Sequence, residues 1–190
     1  MEALVALGAN LPSDYGQPAE TLAWAVKRLK ARGVALIDES QIYRTPAFPG
    51  GSGPDYANQV IAVRSSLAPA ELLAVLHAVE DEAGRAEPNK RKRWGPRSLD
   101  LDLIAVGEQV APDADTQEAW RSLPMEAAVA AQPTGLVLPH PFMQDRAFVL
   151  VPLAEIRPEW RHPLLGQTAP EMLANFTDAA LDAVRPLATV

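Results

Sequence analysis

Arg93-Trp94-Gly95-Pro96-Arg97-Ser98-Leu99-Asp100-Leu101-Asp102-Leu103-Ile104 sets two arginines and a tryptophan before an alternating run. Successive side chains of a strand point to opposite faces, so Leu99, Leu101 and Leu103 share one face and Asp100 and Asp102 the other. The leucine face asks to be covered. The two carboxylates repel each other unless a cation lies between them. A half-exposed strand that carries two aspartates by chance is the plainer reading, and Asp-x-Asp alone does not exclude it. The arginines weigh against it. Mg²⁺ is held by one or two carboxylates plus substrate phosphates, and Arg93 and Arg97 can grip the same phosphates through forked hydrogen bonds.

Outward from this strand, residues 2–8 alternate and end at Gly8-Ala9-Asn10, a strand and a turn. Leu22, Val26 and Leu29 at helical spacing predict a helix over 18–31, with Pro18 near its start and Gly33 beyond its end. Residues 34–44 are strand-like until Thr45-Pro46, and a Gly/Pro loop follows. Residues 55–67 alternate again, with Tyr56, Asn58, Val60 and Ala62 on one face and Ala57, Gln59, Ile61 and Val63 on the other. Leu72, Leu73, Leu76, Val79 and Glu80 predict a helix from Pro69 to near Gly84. Together with 99–106 the order is strand, helix, strand, strand, helix, strand. It predicts an α+β domain of the ferredoxin-like split βαβ kind, an antiparallel sheet with helices on one face.

The rest of the chain is read as additions to this unit. Residues 113–132 are an expected surface insertion with a short helix over 116–123. Leu136-Val137-Leu138 is a short strand before the turn Pro139-His140-Pro141, 146–156 a short helix packed on the body, and 170–176 a last helix. The whole of 1–190 is expected to form a single domain, with 163–190 as a C-terminal extension.

Composition bounds the function. The net charge of −7 disfavours a general nucleic-acid binder. Residues 85–97 nevertheless carry Arg85, Lys90, Arg91, Lys92, Arg93 and Arg97 against Glu87 alone, a local patch suited to a small polyanion such as a nucleoside triphosphate. There is no cysteine, which rules out disulfides and thiolate metal sites. No apolar run reaches the ~18 residues of a membrane span, and the first residues read as a strand and not as a signal peptide. A cytoplasmic enzyme is the expectation. No Gly-x-x-x-x-Gly-Lys-Ser/Thr occurs, so a P-loop is excluded.

The ordered set of motifs resembles the 6-hydroxymethyl-7,8-dihydropterin pyrophosphokinase family. The matching pieces are Ala6-Leu7-Gly8-Ala9-Asn10-Leu11, Tyr43-Arg44-Thr45-Pro46, Asp55-Tyr56-x-Asn58, Glu80-x-x-x-Gly84-Arg85, the block from Arg93 to Leu103, Leu138-Pro139-His140-Pro141 and Arg146-x-Phe148. The resemblance implies a ferredoxin-like fold that moves the diphosphate of ATP to the pterin hydroxymethyl group in folate biosynthesis and releases AMP. It also implies that Asp100 and Asp102 bridge two Mg²⁺ ions, that Arg85 and Arg97 grip the phosphates, and that Arg93 assists. Leu103, His140 and Arg146 would line the ATP side, with His77 where many relatives carry Gln. Tyr56 and Phe148 would stack on the two pterin faces. Asn58 and the Thr45-Pro46 backbone would read its polar edge, with Phe48 in the first pterin loop and Trp94 closing over the site. Which of Lys90, Arg91 and Lys92 faces ATP is left open. The two substrates are the only partners implied, with neither nucleic acid nor membrane, and the chain is expected to act as a monomer. The loops 46–54 and 86–96 are expected to be mobile until both substrates bind.

Two other readings compete. A nucleotidyltransferase also uses paired aspartates, but its usual Gly-Ser motif before them is absent. A ferredoxin-like RNA-binding module needs aromatics on its central strands, where this chain has Asp-Leu-Asp. A fusion with dihydropteroate synthase is not expected, because these 190 residues hold no barrel-sized segment.

Overall fold

A computed structural model describes residues 1–47, 53–84, 97–124, 127, 133 and 135–187. The expected order of elements is present. Strand β1 (Glu2–Ala9) leads to helix α1 (Pro18–Ala31), and strands β2 (Ala35–Glu39), β3 (Tyr43–Thr45) and β4 (Tyr56–Arg64) follow. Helix α2 (Pro69–Glu82) leads to β5 (Asp100–Val106). With a last strand β6 (Arg185–Pro186), the sheet runs β5-β1-β4-β3-β6 with β2 also on β4, and its pairings are antiparallel. This is the expected ferredoxin-like α+β arrangement.

Local chemistry explains the two helices on the first face. Each begins with proline at a position whose N–H needs no partner. Glu20 accepts the Gln17 N–H at 2.7 Å and Glu71 accepts the Ala68 N–H at 2.8 Å, so each first turn has a carboxylate near its positive end. The buried stripes Leu22, Ala25, Val26 and Leu29 of α1 and Leu72, Leu76 and Val79 of α2 meet Val5, Leu7, Ile61, Val63, Leu99, Leu101 and Leu103 in one core.

The expectation of helices on one face needs correcting. Helix α4 (Ala147–Ile156) covers part of the other face. Its Val149, Leu150 and Leu153 form a second core with Leu4, Val60, Ala62 and Ile104. The apolar ends of β1, β4 and β5 require this second cover, because Val60, Ala62 and Ile104 point away from α1 and α2.

Other boundaries shifted for identifiable reasons. The strand expected over 34–44 breaks between β2 and β3, where Ser40 takes over the ladder. Its N–H donates to the Val60 carbonyl at 3.0 Å and its hydroxyl accepts the Val60 N–H at 3.1 Å. Leu136–Leu138 makes an isolated bridge, Ala111 with Leu138, and no named strand. Helix α3 (Ala114–Arg121) lies in the expected insertion and is mostly exposed. Gln117 is its exception, fully buried and donating to the Pro139 carbonyl at 3.2 Å, so the insertion is fastened beside His140. Two short helices, α5 (Ala169–Leu173) and α6 (Asp178–Asp182), replace the single one expected over 170–176, and β6 (Arg185–Pro186) adds to β3. Most of the loop expectations, within 46–54 and 86–96, lie outside the described residues.

His162 holds the turn before α5. It is fully buried, and its Nδ1 accepts the N–H groups of Leu164 and Leu165, both at 3.2 Å. The ring proton therefore sits on Nε2. Burial first, and Arg121 second, push its pKa down to about 4. An unfolded histidine titrates near 6.5 and takes up a proton that the folded one refuses, so stability is lost as pH falls from about 6.5 towards 4. Thermal melts at pH 7.5 and 5 should show His162→Asn, which keeps an acceptor near Nδ1 but cannot titrate, losing less Tm on acidification than wild type. Equal losses would contradict this origin of the acid sensitivity.

Candidate active site

The pairing of β1, β3, β4 and β5 assembles one face residue by residue. Opposed residues of antiparallel strands share a face. Gly8 pairs with Asp100 on one side and Asn58 on the other, and Asn58 pairs with Tyr43. In the adjoining rows Ala6 pairs with Asp102, and Tyr56 with Thr45. Thr45, Tyr56, Asn58, Asp100 and Asp102 are thereby brought to a single face, opposite the α1/α2 core. Gly8 lies in the middle of this floor. A Cβ there would stand 3.5 Å from Asn58 Oδ1 and 4.0 Å from a Tyr56 ring carbon, so glycine leaves the floor open between the aspartates and the tyrosine.

Each aspartate meets an arginine. Arg97 hydrogen-bonds Asp100 through Nη1. Arg146 Nη1 lies 3.2 Å from Asp102 Oδ2, and its guanidinium carbon is 5.8 Å from the centre of the Phe148 ring. These cations offset the mutual repulsion of the carboxylates. Burial raises the Tyr56 phenol above its ordinary value, with Arg97 opposing and Asp100 adding to the shift, so Tyr56 stands within the field of that pair. Asn58 is buried and donates to the Thr45 hydroxyl at 2.8 Å, which fixes its amide orientation. Pro46 follows at the exposed end of β3.

His140 is tied to the end of β5 by its N–H to the Ile104 carbonyl, 2.8 Å. Its Nδ1 accepts the Phe142 N–H at 3.2 Å. Burial and then Arg146 push its pKa down to about 3, so it is neutral, with a proton on Nε2 to donate.

Two expected residues are placed elsewhere. Leu103 has its side chain in the α1/α2 core, because it has the parity of Leu99 and Leu101, so only its main chain remains available to a ligand. His77 is exposed on α2, which covers the opposite face from Asp100 and Asp102. Phe48, Arg85, Arg93 and Trp94 lie outside the described residues, as do Lys90, Arg91 and Lys92.

The structure adds Glu80, which helical spacing had placed in line with the apolar stripe of α2. Its carboxylate is almost wholly buried, and Oε1 accepts the Leu101 N–H at 2.8 Å. Among the described strands β5 pairs with β1 alone, so the N–H between the two aspartates would otherwise face no strand. The sequence signals were a glutamate at a position that spacing assigns to the core and its place in Glu80-x-x-x-Gly84-Arg85.

An α+β domain with paired aspartates, capping arginines and an aromatic on one open sheet face has the groups that a phosphate-transferring enzyme needs. Residues 4–158 match the family 7,8-dihydro-6-hydroxymethylpterin-pyrophosphokinase, HPPK. The chain belongs to this family. It is 37% identical over 185 residues to the 2-amino-4-hydroxy-6-hydroxymethyldihydropteridine pyrophosphokinase of Synechocystis sp., covering 97% of this chain and 80% of the relative. The protein of that name from Pseudomonas aeruginosa is 38% identical over 170 residues, covering 90% and 88%. In fold, the chain is similar to the crystal structure of Plasmodium falciparum HPPK-DHPS, with a TM-score of 0.65 at 12% identity. That match covers 97% of this chain and 46% of the longer one.

Glu80→Ala would leave the buried Leu101 N–H without its acceptor, a loss of about 1–3 kcal/mol. Urea unfolding should show it, with Glu80→Gln losing less because an acceptor remains. An Ala variant as stable as wild type would contradict the role of this bond.

Proposed function

We propose that the face carrying Asp100 and Asp102 is where this chain performs the family's reaction. The chain transfers the pyrophosphoryl group of ATP to 6-hydroxymethyl-7,8-dihydropterin in folate biosynthesis. The observation that carries the site assignment is the shared face of Thr45, Tyr56, Asn58, Asp100 and Asp102 around an open Gly8, with Arg97 and Arg146 on the carboxylates.

In this reading the pterin hydroxymethyl oxygen attacks the β-phosphorus of ATP. The bond from that phosphorus to the oxygen bridging to the α-phosphate breaks, AMP leaves, and the hydroxyl proton passes to solvent. Arg97 and Arg146 counter the charge of the triphosphate. Neutral His140 gives ATP a hydrogen bond that does not change across physiological pH. Tyr56 and Phe148 flank the flat heterocycle, and Asn58, held by Thr45 beside Pro46, reads its edge. For Arg85 and Arg93 we keep the phosphate-gripping role, and for Phe48 and Trp94 the pterin side.

The donor set fits magnesium. Among the described residues no group of three or more metal-ligating side chains occurs. Two carboxylates beside a triphosphate are the set that Mg²⁺ accepts, with phosphate oxygens and water completing its shell. Asp100 and Asp102 would hold two ions, which when bound neutralise phosphate charge and align the reacting oxygens. Action as a monomer is part of this reading. Among the described residues no helix is long and apolar enough to cross a membrane. The need for ATP supports the cytoplasm as its compartment.

Chromatography of the nucleotides formed from ATP, Mg²⁺ and the reduced pterin should show AMP in step with pterin consumption. ADP as the main product would sink the assignment. Tyr56→Ala should raise the pterin KM by about tenfold, from the ~0.5–1.5 kcal/mol of an aromatic stack together with the apolar area lost with the ring, while leaving the ATP KM near that of wild type.

A further inference from the structure

Asn10 is a buried polar side chain, 3% exposed, to which the reaction above gives no task. It stands immediately after β1, two residues beyond Gly8. Its Oδ1 accepts the Arg97 N–H at 2.8 Å, and the N–H groups of Asn10 and Leu11 donate back to the Arg97 carbonyl at 3.0 and 3.1 Å. Its Nδ2 donates to the Pro54 carbonyl at 3.0 Å. Only one orientation of the amide serves an N–H on one side and a carbonyl on the other. Arg97 leads into Asp100 and caps it. Pro54 leads through Asp55 into Tyr56. One amide thus spans the backbone leading to the phosphate side and the backbone leading to the pterin side, segments 43 residues apart in the chain.

We propose that Asn10 is a positioning residue that couples the two substrate half-sites. A nucleotide that engages Arg97 and Asp100 holds the Arg97 backbone, and with it the Asn10 amide. The amide in turn holds Pro54 and sets the approach to Tyr56. Coupling between sites is reciprocal, so the pterin must favour the nucleotide by the same factor. The inference rests on reading Arg97 and Asp100 as the ATP side and Tyr56 as the pterin side.

The test is calorimetric titration of the full chain with the reduced pterin, with and without a non-hydrolysable ATP analogue and Mg²⁺, and in the reverse order. Wild type should show each ligand tightening the other within the usual range of about 5–150-fold. Asn10→Ala should bind each ligand alone within about threefold of wild type while the mutual factor falls towards one. Asn10→Asp keeps the acceptor for the Arg97 N–H and loses the donor to Pro54, so it should lose the factor too. Any direct effect of its charge on nucleotide binding appears in the single-ligand affinity and cancels from the ratio. In wild type alone, the ATP analogue should slow amide exchange at residues 55–57. Full mutual tightening in Asn10→Ala, or no protection at 55–57, would overturn the coupling. Unchanged pterin affinity in Tyr56→Ala would instead overturn the site reading, and the proposal with it.

Discussion

The alternation along β5 is the constraint on which the rest depends. A strand has a period of two, so one register fixes both of its faces at once. Leu99, Leu101 and Leu103 enter the core under α1 and α2, and Asp100 and Asp102 are thereby forced to the other side. A slip of one residue against β1 would bury two carboxylates and move Gly8 out of line with Asp100. Burying one leucine contributes about 1.5–3 kcal/mol, so three of them hold the register against the repulsion of two aspartates. Glu80 adds a directed hydrogen bond at Leu101, between the two acidic side chains.

The buried leucines and the proposed site therefore sit on opposite faces of one strand. The cation–carboxylate pairs on the site face are partly exposed, and such pairs contribute about 0–1 kcal/mol each. Their value lies in placement. Arg97 and Arg146 keep both carboxylates facing one region. The second face is not left bare, since α4 closes its far end and brings Arg146 and Phe148 to the border of the open part.

Much of this was legible in the sequence because it depends on short-range periodicity. Helix α1 runs over the expected 18–31, since Pro18 and Gly33 mark its ends and Leu22, Val26 and Leu29 its buried side. The faces of β4 and β5 followed from alternation alone. Legibility stops where a partner far away in the chain decides. The break at Ser40 is made by Val60, β6 pairs with β3 across more than a hundred residues, and α4 covers a face that no local pattern shows to be open. The same holds within the site. Leu103 and His77, expected on the ATP side by resemblance, have side chains on the other side of the sheet, and strand parity already put Leu103 there. Asn10 was visible only as a member of a motif and Glu80 as a motif member in the apolar register of α2, because the bonds that give them a task reach Arg97, Pro54 and Leu101.

The central claim is that the two faces of β5 can be separated by mutation. The direct measurement pairs turnover with thermal and urea stability for Asp102→Asn and Leu101→Ala. Asp102→Asn should lower turnover by about two orders of magnitude, matching the several kcal/mol of a metal-supported transition state, with stability close to wild type. Leu101→Ala should lose about 2–5 kcal/mol of stability, while its folded fraction keeps a KM for ATP near that of wild type. An Asp102→Asn variant that unfolds, or that turns over at a near-normal rate, would contradict the account.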